Sequence, residues 1–357
     1  MENIYSQAKI FHFKDRLDAL SQKKAVAPIH IRLKPINACN HRCFYCCYRN
    51  EDLFLSELMK EKDMIPEQKM AEIAQDMIDC GVKAVTFTGG GEPLIYPHFV
   101  QTARTLLNGG VKVATLTNGS ALCGSVAQVL AEGASWVRVS MDSTDGESIQ
   151  QSRGTGPEEF DRIIANIEAF SQKKHRDCEL GVNFIVTKLN AHKVYDFIKL
   201  LREVGADHVK VSECVVGTDD KQNNAYHKEH FAKTLAEVKR AQSELSQDGF
   251  RVINKFHELE IEYQKPYGWC PFICGFLNVI AADLRVYTCQ DKAYSTEGIL
   301  GSLKDQSLKE FWHSDAFQKA ALGISPLRDC HHHCVQHGKN MALIDYLSTD
   351  TRHLEFV

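Results

Sequence analysis

The stretch Asn37-Ala-Cys-Asn-His-Arg-Cys-Phe-Tyr-Cys46 sets Cys39, Cys43 and Cys46 three and two residues apart. Cysteine thiolates are the usual ligands of a four-iron, four-sulfur cube, and such a cube has four corners. A tight loop that supplies three thiolates leaves one iron without a protein ligand, and an iron with an open position can bind a substrate. The spacing therefore predicts an iron–sulfur loop with a reactive corner.

A structural zinc site is the alternative for this loop, because closely spaced cysteines also suit tetrahedral zinc. The chain holds 13 cysteines, which in a reducing compartment are more often metal ligands or catalytic thiols than disulfides. Eight of them fall into two groups, three near the front of the chain and five near its end. The scattered remainder are expected to be small buried hydrophobic residues: Cys47, Cys80, Cys123, Cys178 and Cys214.

Length and charge limit the classes of function. The chain has 357 residues and a formal charge of −4 without a long basic run, so nucleic acid is not an expected partner. No apolar stretch of about 18 residues predicts a membrane-spanning helix, and the charged start lacks the apolar segment of a signal peptide. These features predict a cytoplasmic protein.

Short apolar strands alternate with amphipathic helices over about 180 residues. This alternation predicts a parallel sheet with helical crossovers. The expected strands are 29–33, 82–88, 111–117, 136–141, 180–186 and 208–212, with helices near 66–80, 97–109, 122–132, 160–171, 192–204 and 224–247.

The loop after the second strand, Thr88-Gly-Gly-Gly-Glu-Pro93, brings a carboxylate next to consecutive glycines. Glycines let a backbone approach a ligand closely, and Glu92 can accept hydrogen bonds from an ammonium group. Together with the cysteine loop and its Tyr45-Cys46 step, this loop resembles the radical SAM superfamily.

The resemblance implies a partial (β/α)6 TIM-like barrel in which the fourth iron binds the amino and carboxylate groups of S-adenosylmethionine. An electron from the [4Fe–4S] cluster then cleaves the sulfonium and releases a 5′-deoxyadenosyl radical. A flavodoxin- or ferredoxin-type protein is the expected reductant. The residues that this resemblance assigns to the cofactor are Tyr45, Gly90, Gly91, Glu92, Pro93, Asn118, Ser140, Asp142 and Asn183.

Two of these assignments rest on strand geometry. Ser140 and Asp142 stand two apart at the end of the fourth strand, so they are expected to point to one face and to suit ribose hydroxyls. An ordinary strand-end cap is the alternative. On the sixth strand, Glu213 and Cys214 are the candidate catalytic residues, with an inert buried thiol as the alternative for Cys214.

The second cysteine group comprises Cys270, Cys274, Cys289, Cys330 and Cys334. Its order of cysteine, hairpin, cysteine, glycine turn, helix and cysteine pair resembles the auxiliary iron–sulfur domain called SPASM or, in its shorter form, twitch. Four cysteines complete one [4Fe–4S] cube, so we expect one auxiliary cluster on Cys289, Cys330, Cys334 and either Cys270 or Cys274. The hairpin spacing favours Cys274, and a Cys/His zinc site using His331–His333 is the alternative.

The predicted organisation is an N-terminal arm (1–28), a barrel (29–250) and a small cysteine-rich α+β auxiliary domain with a tail (251–357). The expected reaction is hydrogen abstraction from a small polar molecule, a sugar or aminocyclitol, leading to oxidation or epimerisation. A ribosomally made peptide is the alternative substrate, although the 38 residues before Cys39 leave no room for a leader-binding domain. The non-enzyme alternatives are an electron carrier and a zinc-binding module.

Overall fold

The computed structural model describes residues 6–50, 57–217, 220–257, 265–331, 334–350 and 352. Within them ten strands form one sheet: β1 (His30–Leu33), β2 (Ala84–Phe87), β3 (Lys112–Thr117), β4 (Ala134–Met141), β5 (Glu179–Val186), β6 (His208–Glu213), β7 (Arg251–Asn254), β8 (Leu277–Ile280), β9 (Arg285–Tyr287) and β10 (Ile299–Ser302).

The strand order is β10-β9-β8-β1-β2-β3-β4-β5-β6-β7, so the sheet is open rather than closed on itself. Strands β1 to β7 run parallel, and β8 pairs in parallel with β1. Strands β9 and β10 are antiparallel to their neighbours. The predicted partial barrel with a C-terminal cysteine-rich domain is confirmed, and the hairpin of that domain extends the barrel sheet.

The described residues form these helices: α1 (Lys14–Ser21), α2 (Glu67–Asp79), α3 (Phe99–Asn108), α4 (Gly124–Gly133), α5 (Gly146–Arg153), α6 (Glu158–Lys173), α7 (Val194–Glu203), α8 (Asp220–His227), α9 (Phe231–Leu245), α10 (Leu308–His313), α11 (Asp315–Gly323), α12 (Pro326–Asp329) and α13 (His337–Ser348). Alternate strand residues such as Ile31 and Leu33 are fully buried in the core shared with these helices.

The structure contains four helices that were not predicted, α1, α5, α12 and α13, and it differs from the predicted elements in three further places. The helix expected at 224–247 is two helices, α8 and α9, and the single helix expected after the glycine turn of the C-terminal domain is α10 and α11. Ser314 interrupts the second pair because its extended backbone lets its hydroxyl cap α11, accepting the Phe317 N–H at 3.1 Å. Strand β7 adds a seventh parallel strand next to β6. With four residues, two of them polar, this strand is too short and too polar to appear in the sequence as an apolar run.

The carboxyl ends of β1 to β6 meet at one edge of the sheet and carry the loops in which the predicted site residues lie. This edge is where parallel barrels place their functional groups. Residues 258–264, next to the predicted domain boundary, lie outside the described residues, as do His332, His333 and the end of the predicted tail. No helix in the described part of the chain is long and apolar enough to span a membrane.

Candidate active site

One cavity of about 430 Å³ opens at the carboxyl ends of β1 to β6. It brings together most of the predicted cofactor residues and the three loop cysteines: Cys39, Cys43, Tyr45, Cys46, Gly90, Gly91, Glu92, Pro93, Asn118 and Ser140. Glu213 also lines the cavity, at the side opposite to the glycines along the sheet. The predicted site residues Asp142, Asn183 and Cys214 do not line this cavity.

The cluster loop, residues 37–49, holds its shape through bonds to its own backbone and to helix α5. The Cys46 N–H donates to the Cys43 carbonyl at 3.1 Å. The N–H groups of Arg42 and Phe44 donate to the carbonyls of Arg153 and Ser152, at 2.8 and 3.0 Å. The last turn of α5 therefore fixes the loop from outside and leaves its thiols facing the cavity.

The thiols of this loop are buried, so their thiolate forms would be stabilised by the iron of a cluster rather than by water. Burial raises the pKa of Cys43 to about 12 and also raises the pKa of Cys39. A buried thiolate is stable only with a positive partner, which iron supplies. Cys47 lines the same cavity, and burial next to Cys46 raises its pKa to about 12 as well.

The glycine loop, residues 88–93, packs backbone to backbone against the cluster loop. The Gly91 N–H donates to the Ile36 carbonyl and the Glu92 N–H to the Ala38 carbonyl, both at 3.0 Å. A Cβ added at Gly91 would stand 1.8 Å from the Ala38 oxygen, and one at Gly90 would stand 2.3 Å from Asn37 Oδ1. The close approach that requires these glycines is thus to the cluster loop itself.

Glu92 is largely occupied by this chain's own donors. Its Oε1 accepts the Leu94 N–H at 3.0 Å and the Thr117 hydroxyl at 2.6 Å, and its Oε2 accepts the Asn118 N–H at 2.7 Å. A carboxylate has about four acceptor positions, so one remains for a ligand ammonium group. Burial raises its pKa, and these three bonds act against that effect.

Asp142 does not reach the cavity, which corrects the prediction that it faces a ribose. Strand β4 ends at Met141, so the two-residue alternation does not continue to Asp142. Its carboxylate is fully buried and pairs with Arg153 Nε at 2.5 Å. Ser140 does line the cavity, and its backbone carbonyl accepts from Arg153 at 2.8 Å.

Arg153 is the main site residue that the sequence analysis missed. Its guanidinium lines the cavity while being almost fully buried. Burial alone would lower its pKa, but the Asp142 carboxylate outweighs burial and raises it. Its Nη1 lies 3.3 Å from His41 Nδ1, and His41 Nε2 lies 3.0 Å from Glu159 Oε1. Arg153 belongs to no motif, so only its place at the end of a helix could have pointed to it.

Lys34 is a second missed residue, located between the two loops. Its ammonium donates to the Gly89 carbonyl at 3.0 Å and to the Tyr48 hydroxyl, and it lies 4.1 Å from the centre of the Tyr48 ring. Burial lowers its pKa to about 8. A lysine at the end of a predicted strand, five residues before the first cluster cysteine, was the available signal.

The two catalytic candidates separate in the structure. Glu213 lines the cavity, its Oε2 is buried without a hydrogen-bond partner among the described residues, and burial raises its pKa. Cys214 lies beyond the end of β6 and is fully buried, and it does not line the cavity. The structure therefore does not place its thiol where it could donate a hydrogen atom to a substrate in this cavity. Asn183 of β5 lies next to Ser140 of β4 in the sheet. It does not line the cavity, whereas Ile185, two residues further along β5, does.

A second, smaller cavity is lined by four thiols of the C-terminal group: Cys270, Cys289, Cys330 and Cys334. Cys274 is not among them, so the cavity favours Cys270 rather than the expected Cys274. The Cys274 side chain is fully buried in the hydrophobic core and faces the carbonyls of Cys270 and Ala321. The short helical turn Pro271–Cys274 rotates the two cysteines to different sides.

Within the described residues no three His, Cys, Asp or Glu side chains converge on a single-ion site. Of the histidines proposed as zinc ligands, His331 is exposed and its Nε2 lies 2.9 Å from the Arg328 carbonyl oxygen. The other two lie outside the described residues.

Comparison with known proteins agrees with this geometry. The model of the radical SAM superfamily matches residues 33–201, and a model described as an iron–sulfur cluster-binding domain, SPASM, matches residues 270–335. The probable GTP 3′,8-cyclase of Sulfurisphaera tokodaii is 28% identical over 288 residues, 78% of this chain and 87% of that one. The GTP 3′,8-cyclase of Pseudomonas putida is 26% identical over 191 residues, 53% and 54% of the two chains.

Solved structures show the same fold at low sequence identity. SuiB of Streptococcus suis bound to S-adenosylmethionine has a TM-score of 0.64 at 16% identity, over 93% of this chain and 80% of that one. The protein anSMEcpe with the same bound molecule has a TM-score of 0.59 at 16% identity, over 90% and 96%. Residues 33–201 form a radical SAM domain, which implies a SAM-binding [4Fe–4S] cluster, and residues 270–335 form a SPASM domain, which implies auxiliary iron–sulfur binding.

Proposed function

We propose that this enzyme removes a hydrogen atom from a small, phosphorylated, nucleotide-like substrate bound at the mouth of its barrel. The observation that carries the proposal is the single cavity that holds both halves of the reaction. The cluster cysteines and the glycine loop line one side, and Ser212 and Glu213 line the other. A radical formed on the first side would meet a substrate on the second without crossing solvent.

Cys39, Cys43 and Cys46 would hold the first cluster, since all three line the cavity and come from one short loop. The bound cluster and S-adenosylmethionine supply the 5′-deoxyadenosyl radical that is characteristic of the superfamily. The glycine loop would receive the methionine end, with the remaining acceptor position of Glu92 for the ammonium group. Ser140 and Arg153 stand next to that loop, where they can orient the rest of the molecule.

Glu213 is the residue that we assign to the substrate. Its side chain lines the cavity, its Oε2 is buried without a hydrogen-bond partner among the described residues, and burial raises its pKa, which favours a carboxyl group that can hold a proton. It can accept a hydrogen bond from a substrate hydroxyl and so orient the carbon that loses its hydrogen atom. Cys214 has no part in this proposal, because its fully buried side chain does not line the cavity.

The curated relatives support a nucleotide-like substrate, because their names describe enzymes that act on GTP. A neutral sugar or an aminocyclitol receives no such support. An aminocyclitol would also bring ammonium groups toward strands β1, β4 and β6, which present Arg32, Arg138 and Lys210 to the inside of the barrel. The ammonium groups and these cationic side chains would repel one another in a partly buried site.

For the auxiliary cluster we propose the ligands Cys270, Cys289, Cys330 and Cys334, the four thiols that share one cavity. Four protein ligands complete a cube, so this cluster would have no open corner and would pass electrons or support the fold. A flavodoxin- or ferredoxin-type reductant remains the predicted electron donor.

Anaerobic reconstitution tests the proposal. The wild-type chain should bind about eight irons and form 5′-deoxyadenosine from S-adenosylmethionine and dithionite. A variant with Cys39, Cys43 and Cys46 changed to Ala should keep about four irons and form none. Cys47→Ala is the matched control, since it removes a neighbouring thiol from the same cavity, and it should keep both properties.

Incubation with GTP, a sugar phosphate and the matching unphosphorylated sugar, followed by mass spectrometry, tests the substrate class. Conversion of the unphosphorylated sugar alone would overturn the assignment to a phosphorylated molecule. Product formation by the triple cysteine variant would overturn the assignment of the cluster loop.

A further inference from the structure

One loop of the C-terminal domain reaches the active site from the auxiliary site. This bridging loop, residues 288–298, contains Cys289, which lines the auxiliary cavity. Its two ends are joined, since the Thr288 N–H donates to the Gly298 carbonyl at 2.9 Å. A Cβ added at Gly298 would stand 2.0 Å from the Lys292 carbonyl oxygen, so the loop also packs closely against its own backbone. Cys289 and the middle of the loop therefore belong to one closed turn of chain.

Tyr294, in the middle of this loop, has its backbone in the left-handed region, at a φ of 66°. That region is unfavourable for an aromatic residue. Four non-glycine residues in the described part of the chain have a positive φ, and Tyr294 alone among them is fully buried. Such conformations persist only where surrounding contacts fix them, and they cluster at functional sites. The contacts of Tyr294 therefore indicate its role.

The Tyr294 hydroxyl contacts both loops of the candidate active site. It donates a hydrogen bond to Oδ1 of Asn37, two residues before the first cysteine of the cluster loop. Asn37 is fully buried, and its Nδ2 donates to the Lys60 carbonyl at 3.0 Å. A Cβ added at Gly90 would stand 2.3 Å from Asn37 Oδ1 and 2.7 Å from the Tyr294 hydroxyl oxygen. This hydrogen-bonded pair therefore forms the surface on which the glycine loop lies.

Other contacts of the bridging loop fix the cluster loop and the chain that follows it. The Tyr294 carbonyl accepts the Leu58 N–H at 2.9 Å. The N–H and the hydroxyl of Thr296 donate to the Glu57 carboxylate at 3.2 and 3.1 Å. The Tyr294 ring packs edge-on against the Tyr48 ring, with the ring centres 5.6 Å apart. The position of the bridging loop is thus coupled to both loops of the candidate active site.

We infer that Tyr294 is a positioning residue for S-adenosylmethionine, and that it makes the affinity of the first site depend on the auxiliary site. Ligation of Cys289 would fix the bridging loop, which in turn would hold Asn37 and the glycine loop where they receive the methionine end. This inference rests on the proposed function for the roles of the two sites. Without the hydroxyl, the glycine loop would adopt the competent arrangement less often, and the observed affinity falls by the same fraction.

Tyr294→Phe tests the positioning role, since it keeps the ring and removes only the hydroxyl. The anaerobically reconstituted enzyme is titrated calorimetrically with S-adenosylmethionine in the absence of a reductant. The variant should bind S-adenosylmethionine about five- to tenfold more weakly than the wild type. Its iron content should stay at about eight per chain, which separates a displaced loop from a lost cluster.

Tyr287→Phe is the matched control. Tyr287 belongs to the same buried cluster as Tyr294, with the ring centres 5.7 Å apart. Its hydroxyl donates to Asp283 Oδ2 at 2.6 Å, in the turn between β8 and β9, so its loss should leave the affinity unchanged. A purely structural role of the buried tyrosines would affect both variants alike. Equal affinities of the two variants, weakened or not, would therefore overturn the inference.

Cys289→Ala, made in the wild type and in Tyr294→Phe, tests the dependence on the auxiliary site. It should remove about four irons and weaken binding in the wild type, but weaken it no further in Tyr294→Phe. Equal weakening in both backgrounds, or wild-type affinity after the loss of four irons, would overturn the dependence. Retention of about eight irons by Cys289→Ala would instead count against the ligand set in the proposed function, as would absence of 5′-deoxyadenosine formation by the wild type against the reaction proposed there.

Discussion

The two cysteine sites of this enzyme are built in opposite ways. The cluster loop takes three thiols from eight consecutive residues and presents them to an open cavity. The auxiliary site takes its four from three segments between Cys270 and Cys334, and they enclose a smaller cavity. Local spacing therefore encodes the first site almost completely, whereas the second exists only after the hairpin and the helices α12 and α13 have packed.

The largest effect should come from the contact between the cluster loop and the glycine loop. Gly91→Ala would put a methyl group 1.8 Å from the Ala38 carbonyl oxygen, so one loop has to move. We expect binding of S-adenosylmethionine to fall below detection in calorimetry, with the auxiliary cluster intact by electron paramagnetic resonance. Gly323→Ala, at a glycine with no neighbour within 4 Å, is the control. Normal binding by Gly91→Ala would show that the two loops are not rigidly joined.

Loss of one cluster is the next effect and tests how the assembled site chooses its ligands. Cys270→Ala should lose about four irons and the auxiliary signal, because its thiol lines the cavity with the other three. Cys274→Ala should retain them, because that thiol faces the core. Equal iron content in the two variants would mean that the cavity does not mark the ligand set.

The ion pair below the cluster loop should contribute several kilocalories per mole. Arg153→Gln leaves the Asp142 carboxylate buried and unpaired, and we expect the free energy of unfolding to fall by about 3–5 kcal/mol. The double variant Arg153→Gln/Asp142→Asn should regain part of that loss in denaturant titration of the apoprotein. If the double variant is no more stable than the single one, the unpaired Asp142 carboxylate is not the cause of the lost stability.

The smallest effect concerns Cys274 as a packing residue. Replacement by Ala removes a buried sulfur from the core and should lower the unfolding free energy by about 1–2 kcal/mol. Thermal unfolding of the apoprotein measures it, with Cys123→Ala at an exposed position as the control. Equal melting temperatures for these two variants would contradict the orientation of Cys274 described above.

The sequence was sufficient for the features that local pattern encodes. Periodicity located β1 to β6 to within about two residues, and spacing located the cluster loop and the glycine loop. Asp142 was expected to share a face with Ser140, but β4 ends at Met141 and the alternation does not continue to Asp142. Cys270 was ranked below Cys274 because a helical turn, invisible in spacing, separates their directions. Arg153 and Lys34 escaped because their roles arise from contacts between segments far apart in the chain.

The pairing of β8 with β1 bears on how the protein is made. The backbone of Lys34 donates to the Ile280 carbonyl at 2.8 Å, and that of His30 to the Phe276 carbonyl at 3.0 Å, so the strand that leads into the cluster loop acquires its second neighbour only from residues 277–280. During synthesis, β1 therefore keeps one edge unpaired until some 240 further residues have left the ribosome. Exposed edges invite pairing with other chains, so the edge of β1 is open to such pairing until β8 has covered it.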